Sequence, residues 1–242
     1  MPKLDIERPL GNYSSNPLLS PLWETAHRIP TDTALRFING LGEGDVTEWT
    51  WTQFLAGIHA AIQALRDAHI TPGDRVLMLL SASPEYLLTF WALIGLGAQP
   101  VSVPLTPEAP LAPGATTLRH IACDCNATAI VTTPTKSAEL SQLAADDAQL
   151  KHLAHLIPSY PHTQFANVTD VTDLPDTLDG FGLAPVNYDS PVYIQYSSGS
   201  TGAPKGVVNH YGCILNQVNV MVDVWASDTN PNSICWLPLH HD

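Results

Sequence analysis

From residue 50 onward the chain alternates between two hydrophobic rhythms. Phe54, Ile58, Ile62 and Leu65 recur at helical spacing, while His59, Gln63, Arg66 and Asp67 fall away from that face. Thr50 or Thr52 can cap this helix, and Pro72-Gly73-Asp74 turns the chain after it. Arg75 to Leu80 is then a short apolar run, the pattern of a parallel strand covered on both faces. Ser83-Pro84-Glu85 supplies a cap, a first-turn proline and an acid at the positive helix end, opening a helix to Leu96 that Gly97 closes. Gln99 to Val103 is the next strand. Strand, helix and strand in this order make a β-α-β crossover, and with the preceding helix they predict an α/β fold with a mostly parallel sheet flanked by helices.

The same alternation continues with a helix at Ala115–Cys125, a strand at Ala129–Thr132, a helix at Ser137–Ala148 and a strand at His152–Ile157. Ahead of it, 16–28 predicts a first helix ended by Pro30. Ala34–Ile38 and Val46–Trp49 predict a hairpin around Gly40-Leu41-Gly42-Glu43-Gly44. Thr106–Pro113 is a proline-rich surface loop. Pro158–Asp189 is polar, with spaced prolines and aspartates, and is expected to connect parts of one domain spanning 1–242. Val192, Ile194 and Tyr196 alternate as a buried strand. Val207-Val208 predicts a short strand, Tyr211–Trp225 a helix, and Ser233–Leu237 a strand that ends at His240-His241-Asp242.

The chemistry concentrates where the Val192–Tyr196 strand runs out. Ser197-Ser198-Gly199-Ser200-Thr201-Gly202-Ala203-Pro204-Lys205-Gly206 is a loop of small residues. Its backbone N–H groups can converge on an anion, its four hydroxyls can donate, and Lys205 adds a compact positive charge. Charge placement sharpens this reading. After Lys151, Lys205 is the only Lys or Arg, while the same span carries eight aspartates. The spacing excludes a Walker loop, a nucleophile elbow and a Gly-x-Gly-x-x-Gly dinucleotide fingerprint. A solvated Gly/Ser turn with an ordinary surface lysine is the alternative that residue chemistry leaves open.

Composition narrows the partners. A net charge of −13 argues against nucleic acid. It also repels anions at long range, screened over about 8 Å at physiological salt, so local amides and Lys205 must attract any anion against that background. The four cysteines form no Cys-x-x-Cys half-site, and His120, Cys123 and Cys125 are expected to share a helix turn rather than a metal, so no metal site is assigned. No signal peptide follows Met1-Pro2-Lys3, and a reducing cytoplasm is expected. The uncharged stretch 86–107 is broken by Gly97, Gln99, Pro100 and Pro104, which predicts a buried helix and strand instead of a membrane span.

Tyr196-Ser197-Ser198-Gly199-Ser200-Thr201-Gly202-Ala203-Pro204-Lys205-Gly206 resembles the phosphate loop of the adenylate-forming (AMP-binding) superfamily. Trp236-Leu237-Pro238-Leu239-His240-His241-Asp242 resembles its next motif, and Gln195-Tyr196 and Asp242 point to the fatty acyl-AMP ligase branch. Two departures stand out: His240 occupies a position usually held by Tyr or Phe, and Val207-Val208-Asn209 is one residue shorter than usual before His210. The resemblance implies activation of a fatty acid by ATP and Mg²⁺ to acyl-AMP with release of pyrophosphate, then transfer to the phosphopantetheine thiol of an acyl carrier protein or of a polyketide or peptide synthase module. It implies that Ser197, Ser198, Gly199, Ser200, Thr201, Gly202, Lys205 and Gly206 hold the phosphates, and that His241 orients the acyl carboxylate. An acyl-CoA synthetase, an amino-acid adenylation domain and a catalytically incompetent nucleotide-binding fragment are the alternatives. In the resemblance, the adenine and ribose contacts, the hinge and a C-terminal lysine lie beyond Asp242. The chain is therefore expected to be the N-terminal part of a longer enzyme, and inactive alone.

Overall fold

The computed structural model describes residues 15–38, 46–103, 105, 109–145, 147–157, 174–197 and 203–225. In chain order the elements are α1 (Ser20–Arg28), β1 (Thr33–Ile38), β2 (Val46–Thr50), α2 (Trp51–Asp67), β3 (Arg75–Met78), α3 (Pro84–Gly95), β4 (Gln99–Ser102), α4 (Ala115–Asp124), β5 (Ala129–Val131), α5 (Pro134–Ala144), α6 (Ala148–Lys151), β6 (Ala154–Leu156), β7 (Pro191–Ser197), β8 (Lys205–His210) and α7 (Tyr211–Trp225). Strands β1 and β2 form an antiparallel pair of their own. The other six form one sheet in the order β6-β5-β3-β4-β7-β8. It is parallel from β6 to β7, and β8 closes its edge antiparallel to β7.

Helices cover both faces because the central strands β3, β4 and β5 are buried at nearly every position, on both faces of the sheet. Successive side chains of a strand point to opposite faces. Val76 and Met78 of β3 therefore join the core formed with Phe54, Ile58 and Ile62 of α2 and Leu88 and Ala92 of α3. Leu77 and the following Leu79 join a second core with Leu118 and Ile121 of α4 and Leu140 of α5. The chain places α3 on one face and α4 on the other. In such sheets ligands usually bind beyond the carboxyl ends of the strands.

Local chemistry sets the helix starts. Thr50 and Gln53 form the reciprocal capping box of α2, whereas Thr52, the other cap candidate, is buried and donates to the Pro30 carbonyl. Ser83 Oγ accepts from Tyr86 N at the start of α3. Two starts differ from the sequence expectation. Helix α1 begins at Ser20 rather than Asn16, because Asn16 Oδ1 accepts the amides of Leu18 and Leu19 and its Nδ2 donates 2.9 Å to the Tyr211 hydroxyl. Helix α5 begins three residues early, at Pro134 behind a Thr133 cap, and stops at Ala144, leaving α6 as a separate turn.

Residues 174–189 pack more tightly than a polar connecting stretch suggests. Leu174, Phe181 and Val186 are buried, and the Arg66 guanidinium donates to the carbonyls of Phe181 and Gly182 at 3.2 and 2.9 Å. Strand β8 is longer than the two valines that mark it, because it is held by its ladder with β7 and not by apolar burial: Val207 and Val208 are both exposed. Among the described residues no helix is long and apolar enough to cross a membrane; the uncharged stretch has become the buried α3 and β4. The glycine-rich turn at 39–45, the stretches 106–108 and 158–173, and the Ser233–Leu237 strand lie outside the described residues.

Candidate functional site

Strand β7 carries its alternation, Val192, Ile194 and Tyr196 buried, up to Ser197. Beside its far end, β8 returns with Lys205 paired to Ser197 and Gly206 paired to Tyr196. Ser197 and Lys205 therefore face each other across the mouth of the small-residue loop. The loop's centre, Ser198, Gly199, Ser200, Thr201 and Gly202, lies outside the described residues, as does His241. Within them, Lys205 is exposed and makes no ion pair, so its charge is available to a ligand.

A groove of about 460 Å³ opens beside this mouth, lined by His120, Asp124, Ala203, Pro204, Lys205 and Gly206. Its far wall is α4. The Tyr196 hydroxyl donates 2.6 Å to Asp124 Oδ2, and His120 Nε2 donates 2.9 Å to the Pro204 carbonyl. A carbonyl only accepts, so the proton of His120 sits on Nε2 in this contact. Burial, and then the Asp124 carboxylate, push the Tyr196 phenol well above its ordinary value, which keeps it a donor. Burial likewise pushes the neighbouring Cys125 thiol up to about 11, so it is not a thiolate at neutral pH.

The sequence reading placed His120 with Cys123 and Cys125 on one helix turn. In the structure α4 ends at Asp124, so His120 and Cys123 share its last turns while Cys125 is its C-cap; Cys125 is buried and Cys123 exposed. The sequence reading missed that His120 and Asp124 reach the loop; their helical i, i+4 spacing beside the buried Leu118 and Ile121 was the available signal. Among the described residues no three His, Cys, Asp or Glu side chains gather as a metal site.

Register turns the N-terminus of the helix after the loop away from that loop. His210 pairs with Pro191, at the opposite end of β7 from Ser197. Five residues of β8 separate Lys205 from that helix, roughly 17 Å of extended chain. The first amides of α7 are also already taken, Tyr211 N by the Ser190 carbonyl and Gly212 N by the Tyr188 carbonyl.

Residues 22–242 match the sequence profile of the AMP-binding enzyme family. The chain belongs to this family. It is 30% identical over 215 residues to the long-chain-fatty-acid–AMP ligase FadD32 of Mycolicibacterium smegmatis, a match covering 86% of this chain and 31% of that protein. It is 28% identical over 202 residues to the hybrid PKS-NRPS synthetase thnA of Trichoderma harzianum, covering 84% of this chain and 4% of the synthetase. The fold matches that of the L. pneumophila fatty acyl-adenylate ligase solved with acyl adenylate and pyrophosphate, with a TM-score of 0.68 at 19% identity over 93% of this chain and 36% of that one. The chain thus has the α/β fold of the N-terminal subdomain of adenylate-forming enzymes, and it spans about a third of the ligase's length.

Proposed function

We propose that the chain is the N-terminal part of a fatty acyl-AMP ligase and holds the polyphosphate of ATP in the loop between β7 and β8. The observation that carries this reading is Lys205, an unpaired cation among the described residues, paired in register with Ser197 at the mouth of the loop and opening on a groove. The reaction suits such a site. A fatty acid is ionised at neutral pH, since a free carboxyl titrates near 4 to 5 as Glu does, about two to three units below neutrality. No general base is needed. A carboxylate oxygen attacks the α-phosphorus, the bond to the β-phosphate breaks, and pyrophosphate leaves with that electron pair.

The barrier is the approach of one anion to another, and positioned positive charge lowers it. In this reading Ser197, Ser198, Gly199, Ser200, Thr201, Gly202, Lys205 and Gly206 hold the leaving pyrophosphate, and His241 orients the acyl carboxylate. Mg²⁺ enters as the ion that ATP carries. The acyl group then passes to the phosphopantetheine thiol of a carrier protein, in keeping with the similarity to a PKS-NRPS synthetase.

Fatty-acid-dependent ATP–pyrophosphate exchange in the full-length protein tests the reading. Lys205→Ala should lower exchange by about 10²- to 10³-fold, the range for removing one preorganised charge-stabilising group. Unchanged exchange and ATP affinity would sink the cradle. The isolated 242-residue chain should show no exchange. Efficient thioester formation with CoA, and none with a holo carrier protein, would replace the ligase reading with an acyl-CoA synthetase.

A further inference from the structure

We propose that α4 braces the loop between β7 and β8, with His120 and Asp124 as positioning residues that hold its two ends at one separation. This rests on the reading of that loop as a polyphosphate cradle. Asp124 takes the end that leaves the sheet: Tyr196, the residue before Ser197, donates to it at 2.6 Å across 72 positions of sequence. His120 takes the end that returns: it donates 2.9 Å to the carbonyl of Pro204, the residue before Lys205, across 84 positions. The two side chains stand one helical turn apart on a single face of α4, whose Leu118 and Ile121 are fully buried against the sheet. The helix that carries the brace is therefore anchored in the core, while His120 itself is half-buried and Asp124 exposed.

A cradle of backbone amides is strong when its geometry exists before the anion arrives, because no ordering is then left to be done on binding. The sequence of this loop offers few side chains that could pack, so contacts at its two ends bear on its geometry. Pro204 carries no N–H, so its carbonyl is its one backbone hydrogen-bonding group, and His120 holds it. Tyr196 is 5% exposed and its ring lies over Gly206, so the bond to Asp124 also locks the cross-strand pair that places Lys205. His120 and Asp124 act through the loop; neither is assigned a contact with the reacting atoms.

The test uses the full-length protein with Mg²⁺ and inorganic pyrophosphate as the binding probe. KM for ATP, KM for the fatty acid and the melting temperature are measured alongside. The variants are His120→Ala, His120→Gln, Asp124→Ala, Asp124→Asn and Lys205→Ala. The alanine variants should weaken pyrophosphate binding and raise KM for ATP by about three- to tenfold, the range for one net hydrogen bond, with KM for the fatty acid unchanged. His120→Gln and Asp124→Asn, which keep a donor and an acceptor, should recover most of the loss. A lower melting temperature with pyrophosphate affinity intact overturns the proposal, as does an equal rise in both KM values. Conservative variants no better than alanine also overturn it. Lys205→Ala separates the two levels. If it leaves pyrophosphate binding unchanged, the cradle fails and the brace with it; if it weakens binding while His120→Ala and Asp124→Ala do not, only the brace fails.

Discussion

Gly206 sits directly across the ladder from Tyr196, and replacing it with alanine should be far more costly than its exposed position suggests. A Cβ there would lie 2.8 Å from Tyr196 Cζ, 3.0 Å from its hydroxyl oxygen and 3.2 Å from Ile194 Cγ2. Carbon atoms rest comfortably at about 3.5–4.0 Å, so the ring must retreat by about 0.7 Å or more. The phenol end of a tyrosine can usually swing away, but this one is buried and tied to Asp124 at 2.6 Å. Retreat stretches or breaks that bond. A hydrogen bond to a charged acceptor is worth about 1.5–3 kcal/mol, and overpacking adds about 1–3 kcal/mol. The expected loss is therefore about 3 kcal/mol. Urea denaturation followed by tryptophan fluorescence measures it, in a double-mutant cycle with Tyr196→Phe. In the Phe background the hydrogen bond is already gone, so Gly206→Ala should cost about 1.5 kcal/mol less there. A Gly206→Ala cost within about 0.5 kcal/mol of zero, or strict additivity with Tyr196→Phe, would refute the reasoning.

Two further outcomes follow from side chains away from the loop. Lys136 is buried on α5, and its Nζ donates 2.6 Å to the Ala109 carbonyl and 2.7 Å to Glu139, whose other oxygen accepts from Leu111 N. Lys136→Met should cost about 1–3 kcal/mol by leaving that carbonyl unpaired, and should expose residues 109–113 to limited proteolysis; an unchanged cleavage pattern would count against this. Burial, helped at His59 by the charge of Arg66, holds His59 below the ordinary imidazole value of 6.5, and burial alone does the same at His155. Below that value the unfolded chain binds protons that the folded chain does not. The stability contributed by the two neutral imidazoles is thus complete above 6.5 and is lost as pH falls below it. The melting temperature should fall between about pH 7.5 and about pH 5.5, less steeply in a His59→Gln/His155→Gln variant; equal slopes would contradict the assignment.

The sequence by itself determined the alternation of strand and helix, because burial on one or two faces writes its period into the chain. Gly97, for example, ends α3 with φ +70°, a conformation its lack of Cβ had already made legible. The loop composition and the family resemblance were equally local, since a run of small residues ending in a lysine needs no partner to be seen. What lay beyond sequence was every relation between distant segments. Whether α7 points at the loop depended on the β7–β8 register, and the pairing of His210 with Pro191 sent it to the other end of the strand. Asn16 looked like the start of a helix until its amide was drawn to Tyr211, 195 positions away. His120 read as sharing a helix turn with two cysteines and Asp124 carried no signal of its own, and only the packing of α4 against the sheet brings them to Pro204 and Tyr196. Periodicity reports which face of an element is buried; tertiary structure decides what that face is buried against, and hence which polar side chains at its margin find a partner.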